Sequence, residues 1–295
     1  MQTRILKALT CVVVFAATGN AQAASTNSAI GHSTAVDGGV AVAGTTAAAS
    51  GHASEPEASG KESSGGHGAH WGYSGTTGPD SWGRLAGDYH LCGAGTMQSP
   101  VDIAGGFSAT GEPIVFDYRL TPLSIVHNGH SVQVNYQPGS GITVAGERYE
   151  LLQFHFNTPS EHAVEGQQAA MEMHLVHKNA AGALAVVGVM MEAGSENPAL
   201  REIWDRLPIE ESAAKTHERV LINARDLLPA DTGYYRYMGS LTTPPCSEGV
   251  NWYVLTHPIQ AGIEQVSKFA KAAGPNNRPL QPKNHRLVLV PGAAD

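Results

Sequence analysis

Short alternating segments recur through the middle of the chain and restrict it to a fold built on a sheet. Five of them lie within residues 113–192, separated by turn residues: PIVFDY, LSIVHNGHSVQVNY, GITVAGERYELLQFHF, MEMHLVH and ALAVVGVMME. Alternation of apolar and polar residues is typical of strands with one buried face. Helical periodicity occurs at residues 198–207 and 263–272. The sequence therefore predicts one β-rich domain, with a few short helices at the edges of a large sheet.

The first 23 residues have the features of a secretory signal peptide. Arg4 and Lys7 form a short basic region, residues 8–17 are mostly apolar, and the Ala-Gln-Ala at 21–23 is a small-x-small cleavage signal. The apolar run is too short to span a bilayer comfortably, although an uncleaved anchor is the alternative. We predict an exported protein that is cleaved near Ala23, with the periplasm favoured over full secretion.

Residues 24–66 are mostly Ala, Gly, Ser and Thr, and they contain almost no large apolar side chain. Such a segment cannot bury enough surface to offset the entropy lost on ordering, so we predict a disordered tail or linker before a domain at 67–295. Signal removal lowers the basic count from 18 to 16 against 26 acidic residues, a net charge of −10. An acidic surface without basic clusters argues against nucleic acid or anionic lipid as a partner. The oligomeric state stays open.

Two cysteines, Cys92 and Cys246, remain after cleavage of the signal. In an oxidising compartment two cysteines most simply form one disulfide. A redox-active pair is the alternative, but the sequence lacks the Cys-x-x-Cys spacing of such pairs. We therefore predict a Cys92–Cys246 disulfide.

One alternating segment, LQFHFN, places Gln153, His155 and Asn157 on one face of a strand and two phenylalanines on the other. The segment MEMHLVH likewise places Glu172 and His174 on one face. Two such strands side by side would direct two imidazoles at one cation, and Glu172 would orient a ligand histidine. Two histidines on strands are also common as polar core or surface residues, and the pattern alone leaves both interpretations open.

Nine motifs, taken together, resemble the α-class carbonic anhydrase family. In chain order they are HWGYSG, QSPVDI, HNGHSVQV, QFHF, PSEH, EMHLVH, GSLTTPPC, NW and NNRPLQP. The resemblance covers roughly residues 70–290 and implies a mainly β fold with short peripheral helices and a large, twisted, mostly antiparallel central sheet. It also implies zinc as cofactor and the reversible hydration of carbon dioxide to bicarbonate and a proton. The two cysteines resemble those of the disulfide-bearing secreted members.

The resemblance assigns roles to individual residues. His155 and His174 match the first and third zinc ligands, and Thr242 and Glu161 match the pair that orients the attacking hydroxide. His130 matches the proton shuttle, which suits an imidazole because it titrates near neutral pH. The other matched residues are Thr243, Val176, Val186, Leu241 and Trp252 around the substrate, Gln153 and Glu172 beside the ligand histidines, and Asn128 and Tyr73 along the water chain to the shuttle.

Simpler structural interpretations exist for some of these features. The Pro-Pro pair at 244–245 would then be only a rigid turn, Glu161 a structural carboxylate, and His130 a surface residue on a hairpin. The residues that we predict to serve structure alone are His162, His177 and the segment 98–103.

The sequence departs from the family at the middle zinc ligand. The family has a histidine two residues after the first ligand, and this chain has Asn157 there. The strand geometry keeps Asn157 on the ligand face, but an amide is shorter than an imidazole and a weaker donor to zinc. We expect weaker zinc binding and lower activity.

Two functions therefore compete. In the first, the protein is an enzyme that hydrates carbon dioxide with zinc held by His155, His174 and Asn157, or by a water in place of Asn157. In the second, it is a carbonic-anhydrase-like pseudoenzyme or binding module with weak or no zinc. We favour the enzyme, because the other matched site residues are present with the family's spacing: Glu161, Glu172, Thr242, Thr243 and His130.

Overall fold

The computed structural model describes residues 69–109 and 111–291. The predicted signal peptide and the predicted tail at 24–66 lie outside the described residues. Within these ranges, no helix combines the length and the apolar character that crossing a membrane requires.

The described residues form four short α-helices and fifteen strands. The helices are α1 (Trp82–Leu85), α2 (Leu91–Ala94), α3 (Pro198–Trp204) and α4 (Ile263–Ala273). The strands are β1 (Asp102–Ile103), β2 (Phe107–Ala109), β3 (Val115–Asp117), β4 (Thr121–His127), β5 (Val132–Asn135), β6 (Gly141–Val144), β7 (Glu147–Asn157), β8 (Ala163–Val164), β9 (Met171–Lys178), β10 (Leu184–Gly194), β11 (Lys215–Ile222), β12 (Tyr234–Ser240), β13 (Glu248–Leu255), β14 (Ile259–Gly262) and β15 (Leu289–Pro291).

The predicted sheet is confirmed, since thirteen of the strands in the described ranges form one large twisted sheet. The order along it is β11-β4-β5-β7-β9-β10-β13-β12-β15-β2, with β14 on β10 and with β6 joining β3 to β7. Most neighbours are antiparallel, and the parallel pairs are β10–β13, β10–β14 and β15–β2. This topology places β7 and β9 side by side near the middle.

The two faces of β7 and β9 differ as the alternation predicts. Phe154 and Phe156 of β7, with Met173 and Leu175 of β9, are fully buried in the main apolar core. Burial of side chains of this size contributes about 1.5–3 kcal/mol each relative to exposure. The core therefore fixes the register of both strands, because a slip of one residue would turn their apolar side chains to the opposite face.

The two predicted helices are present, and the first is shorter than predicted. α3 begins where Asn197 accepts a hydrogen bond from the backbone N–H of Ala199, and it ends at Trp204 instead of residue 207. After Trp204 the chain continues in a turn, where the N–H of Arg206 donates to Ile203 and that of Leu207 to Trp204. Pro208 then disfavours the α conformation at Leu207 and prevents the helix from resuming.

The Cys92–Cys246 disulfide is confirmed and joins residues 154 positions apart. Cys246 directly follows residues 242–245, and its N–H donates to the carbonyl of Thr243 at 2.8 Å. The bond thus ties the Thr242 loop to α2, which carries Cys92.

Loss of this disulfide should destabilise the protein. A Cys92→Ser/Cys246→Ser double variant is expected to lose about 2–5 kcal/mol of unfolding free energy, since a long loop in the unfolded chain is no longer closed. Urea unfolding of both proteins measures the difference. An unchanged midpoint would show that the cross-link adds no stability.

His177 faces the core, as predicted for a structural residue. It is fully buried, its Nε2 lies 2.8 Å from the hydroxyl of Tyr118, and its Nδ1 lies 3.2 Å from the carbonyl of Ala185. Burial lowers the pKa of His177 to about 3. The folded protein therefore holds His177 neutral where the unfolded chain would protonate it.

This difference predicts a pH dependence of stability. Between pH 6.5 and about 3 the unfolded chain binds the extra proton, so stability should fall as the pH is lowered through this range. The slope from one such group is about 1.4 kcal/mol per pH unit. His177→Gln should remove about that slope from urea unfolding measured between pH 4.5 and 6.5, and an unaltered slope would contradict the assignment.

Candidate metal centre

β7 and β9 bring the predicted ligand residues together on one face of the sheet. In their antiparallel register His155 lies opposite His174, and Asn157 lies opposite Glu172. The two imidazole rings are 5.3 Å apart between centroids and nearly perpendicular, at 88°. The pairing predicted from two separate alternating segments is thus present.

Each of these histidines has one ring nitrogen close to an oxygen of a neighbouring side chain, as a hydrogen bond for His155 and as an ion-pair contact without hydrogen-bond geometry for His174. Nδ1 of His155 lies 2.9 Å from Oε1 of Gln153, and Nε2 of His174 lies 3.0 Å from Oε1 of Glu172. A ring N–H that faces an oxygen leaves the lone pair on the other nitrogen, which is the arrangement of metal-binding histidines. The available donors are therefore Nε2 of His155 and Nδ1 of His174.

The surroundings set different proton affinities for the two rings. Burial, assisted by His174, lowers the pKa of His155 to about 3, so this ring is neutral at neutral pH. Burial also disfavours a charge on His174, but Glu172 and Glu161 outweigh it and raise the pKa of His174. A neutral ring is the form that binds a metal, so His155 is the ready donor and His174 the more proton-dependent one.

Asn157, at the predicted middle ligand position, is buried. Its Nδ2 lies 3.3 Å from Nδ1 of His174. Because Nε2 of His174 faces Glu172, the Asn157 amide donates toward the lone pair that a metal would use. Asn157 therefore lacks the donor of a histidine and also engages the donor of its neighbour.

A chain of buried polar contacts supports His174 from behind. Oε1 of Glu172 lies 2.8 Å from Nδ1 of His162, whose Nε2 lies 2.6 Å from the Tyr237 hydroxyl. That hydroxyl is 2.8 Å from Oγ of Ser99. The other Glu172 oxygen accepts the backbone N–H groups of residues 161 and 162, each at 2.9 Å.

The charge on Glu172 is favoured by these contacts. Burial opposes that charge, but the imidazoles of His162 and His174 hold the pKa of Glu172 well below its usual range. Ring and carboxylate atoms of these three residues lie within 4.8 Å of one another. Since N–H groups already surround the carboxylate, the trio is a hydrogen-bonded support for His174 and not a second cation site.

Glu161 and Thr242 are buried beside the ligand histidines. Oε1 of Glu161 accepts the backbone N–H of Arg278 at 2.8 Å, and Oε2 lies 3.8 Å from Nδ1 of His174. Burial raises the pKa of Glu161, while His174, the Thr242 hydroxyl and the Arg278 N–H act in the opposite direction. Both residues of the predicted Thr–Glu pair are thus buried, and Oε2 of Glu161 has no hydrogen-bond partner among the described residues.

The four predicted apolar substrate contacts belong to one cluster on the site face of the sheet: Val176, Val186, Leu241 and Trp252. The Trp252 ring packs edge-on against the His174 ring, with centroids 4.9 Å apart. Thr243, in the loop after Leu241, is half-buried. An apolar wall therefore adjoins the candidate ligands.

His130 lies on the hairpin between β4 and β5 and is half-buried. Its ring stacks on Trp71, with centroids 3.6 Å apart and planes at 11°. Oδ1 of Asn128 accepts the backbone N–H groups of His130 and Ser131 at 3.0 and 2.9 Å, so this amide shapes the hairpin. Tyr73 packs edge-on against Trp71, and burial followed by the charge of Glu161 raises its pKa.

Several residues that support the site were not predicted from the sequence. His162, predicted to be structural, connects Glu172 to Tyr237. Arg278 anchors Glu161 through its backbone N–H. Trp71 stacks on His130 and is part of the motif HWGYSG, which was the only signal in the sequence for this contact.

The fold and the site define a β-sheet protein with a candidate metal centre on one face of the sheet. A family model described as eukaryotic-type carbonic anhydrase matches residues 77–291. A carbonic anhydrase of Nostoc sp. is 45% identical over 224 residues, which are 74% of this chain and 85% of that protein. The chain therefore belongs to the eukaryotic-type, or α, carbonic anhydrase family.

Solved structures agree with this assignment. The α-carbonic anhydrase of Thermovibrio ammonificans, in complex with the inhibitor sulfanilamide, is 44% identical with a TM-score of 0.74, covering 76% of this chain and 100% of that one. Dioscorin in complex with ascorbate is 29% identical with a TM-score of 0.71, covering 77% of this chain and 100% of that one.

Proposed function

We propose that the protein catalyses the reversible hydration of carbon dioxide to bicarbonate and a proton, with zinc as cofactor and with a rate limited by Asn157. The observation that carries this proposal is the pairing of His155 with His174, each with one ring nitrogen within 3.0 Å of an oxygen of Gln153 or Glu172. Membership of the family supports the reaction.

The donor set fits zinc at two of three positions. Nε2 of His155 and Nδ1 of His174 would hold the ion, with the Asn157 side-chain oxygen or a water as a weaker third ligand. Zinc, when bound, supplies Lewis acidity that lowers the pKa of a coordinated water toward neutrality, which is a general property of carbonic anhydrases.

The surrounding residues have separate tasks in the proposed reaction. Thr242 and Glu161 orient the attacking oxygen, which lowers the barrier through positioning. The apolar wall that includes Val186 and Trp252 holds carbon dioxide and excludes water from it. His130 accepts the released proton and passes it to solvent.

Zinc dependence tests this function directly. The hydration rate should rise as zinc is added to metal-stripped protein and should level off at a concentration well above that of the protein. A rate that stays at the uncatalysed level when zinc is saturating would contradict the proposal and favour a binding module. Dioscorin supports that second candidate, since its solved complex contains ascorbate in the same fold.

Location is a separate proposal. The basic and apolar segments and the cleavage signal within residues 1–23 support export, with the periplasm as destination. Fractionation of cells that express the full chain tests this, and a cytoplasmic, uncleaved product would contradict it.

The proposed shuttle predicts a buffer-dependent variant. His130→Ala should lower the hydration rate about 10- to 100-fold in weak buffer, because proton removal then limits turnover. In concentrated buffer the loss should shrink, since buffer molecules take over the transfer. His257→Ala, which changes an exposed histidine, is the control, and a loss that is indifferent to buffer would exclude the shuttle role.

A further inference from the structure

The hairpin that carries His130 is contacted by a loop that the sequence motifs do not include. This loop, residues 209–214, precedes β11, and the N–H of Ser212 donates to the carbonyl of His127 at 3.0 Å. His127 is the last residue of β4, so the hydrogen bond fixes the loop beside the hairpin turn.

Glu211 in this loop lies over the hairpin. A Cβ atom added to Gly129 would lie 3.2 Å from Oε2 and 3.6 Å from Oε1 of Glu211. Gly129 precedes His130 directly and has φ of +85°, a conformation that also favours glycine. The Glu211 carboxylate is therefore in close contact with the turn that holds the shuttle imidazole.

The surroundings of His130 otherwise disfavour a charge on its ring. Trp71 covers one face. The titratable groups that act on the ring are His70, Glu211 and His127, and Glu211 is the only carboxylate among them. Burial and then His70 lower the pKa of His130, and Glu211 acts in the opposite direction.

We propose that Glu211 is a positioning residue for proton export, and that its carboxylate beside the hairpin turn stabilises the protonated form of His130. This inference rests on the proposed function, in which His130 carries the proton released by hydration. A shuttle that holds protons too weakly accepts them slowly, because proton transfer to it is then uphill. Glu211 offsets the effect of burial on the ring, so that proton transfer to His130 is less unfavourable.

The test is an NMR titration of the His130 ring in the protein without added metal. The signal is assigned by its loss in His130→Ala. Glu211→Gln should lower the pKa of His130, and Glu211→Lys should lower it about twice as far, because the charge changes by two units instead of one. Both shifts should shrink in 0.5 M salt, since exposed charges are screened.

Glu210 offers a matched control, since it is the adjacent residue and is also exposed. Glu210→Gln and Glu210→Lys should leave the His130 titration nearly unchanged. If the Glu211 variants shift the pKa no more than the Glu210 variants do, the inference is wrong. Because this measurement needs neither zinc nor turnover, its outcome is independent of the proposed function.

The catalytic consequence is measured separately on zinc-loaded protein. In weak buffer the hydration rate should fall about two-fold for each unit of negative charge removed at Glu211. This is about the effect that one charge several ångströms away has on a protonation equilibrium in a water-like dielectric. In concentrated buffer the rate and KM should stay the same. An equal loss in both buffers would indicate a structural effect and overturn the proposed role in proton export.

Discussion

Asn157→His is expected to raise zinc affinity by at least about 100-fold and to raise the hydration rate with it. Loss of a residue that only supports a metal ligand already lowers metal affinity about 10- to 100-fold. A direct ligand such as the new histidine should therefore contribute at least as much. The substitution adds an imidazole on the same face as His155 and removes the amide that donates toward His174. Zinc affinity is measured by competition with a chelator, and the rate by carbon dioxide hydration on the same samples.

A second substitution separates these two contributions. Asn157→Ala removes the amide contact with His174 but supplies no donor, so it should leave zinc affinity far below that of Asn157→His. If Asn157→His binds zinc tightly and remains inactive, the ligand position is not what limits the rate, and the binding-module function gains support.

Glu172→Gln is expected to cause the largest loss of stability, about 3–5 kcal/mol, because it breaks a buried charged network. The carboxylate faces two imidazoles and accepts two backbone N–H groups. A glutamine has nearly the same shape, but its NH2 would face N–H donors on one side. Zinc affinity should also fall about 10- to 100-fold, since His174 loses the group that orients it.

Urea unfolding and chelator competition measure these two effects. Glu192→Gln is the matched control, because Glu192 is an exposed carboxylate on β10. A Glu172→Gln variant within about 0.5 kcal/mol of the control, the ordinary range for surface substitutions, would mean that the network adds little to stability. Unchanged zinc affinity would mean that His174 is oriented by other contacts.

The sheet and the shared face of the ligand residues were predictable because a strand has a period of two. The alternation in LQFHFN and MEMHLVH identifies the faces of β7 and β9 without any knowledge of the fold. The register was not predictable, since β7 has an irregularity between Leu151 and Gln153 that no residue pattern marks. Without the structure, the placement of His155 directly opposite His174 could not be deduced.

The support of the site depends on contacts between distant parts of the chain. Arg278 contacts Glu161 across 117 residues, and Tyr237 contacts His162 across 75 residues. Such pairs carry no local signal, so His162 was predicted to be only structural. The short helices before residue 95 were also missed, because a single turn is too short to have a detectable period.

The sequence and the structure give different information about Asn157. The sequence places the amide at the predicted second ligand position. Only the structure shows that its Nδ2 lies beside the Nδ1 donor of His174. The expected weakness of the site therefore has two physical causes, a missing imidazole and an engaged one.

We propose that this member of the carbonic anhydrase family holds zinc weakly because of Asn157. The most direct measurement is the zinc content per chain after exhaustive dialysis, with the hydration rate of the same sample before and after zinc is returned. We predict much less than one zinc per chain and a low rate that added zinc raises. One zinc per chain that survives dialysis, together with a full rate that added zinc does not change, would contradict the claim.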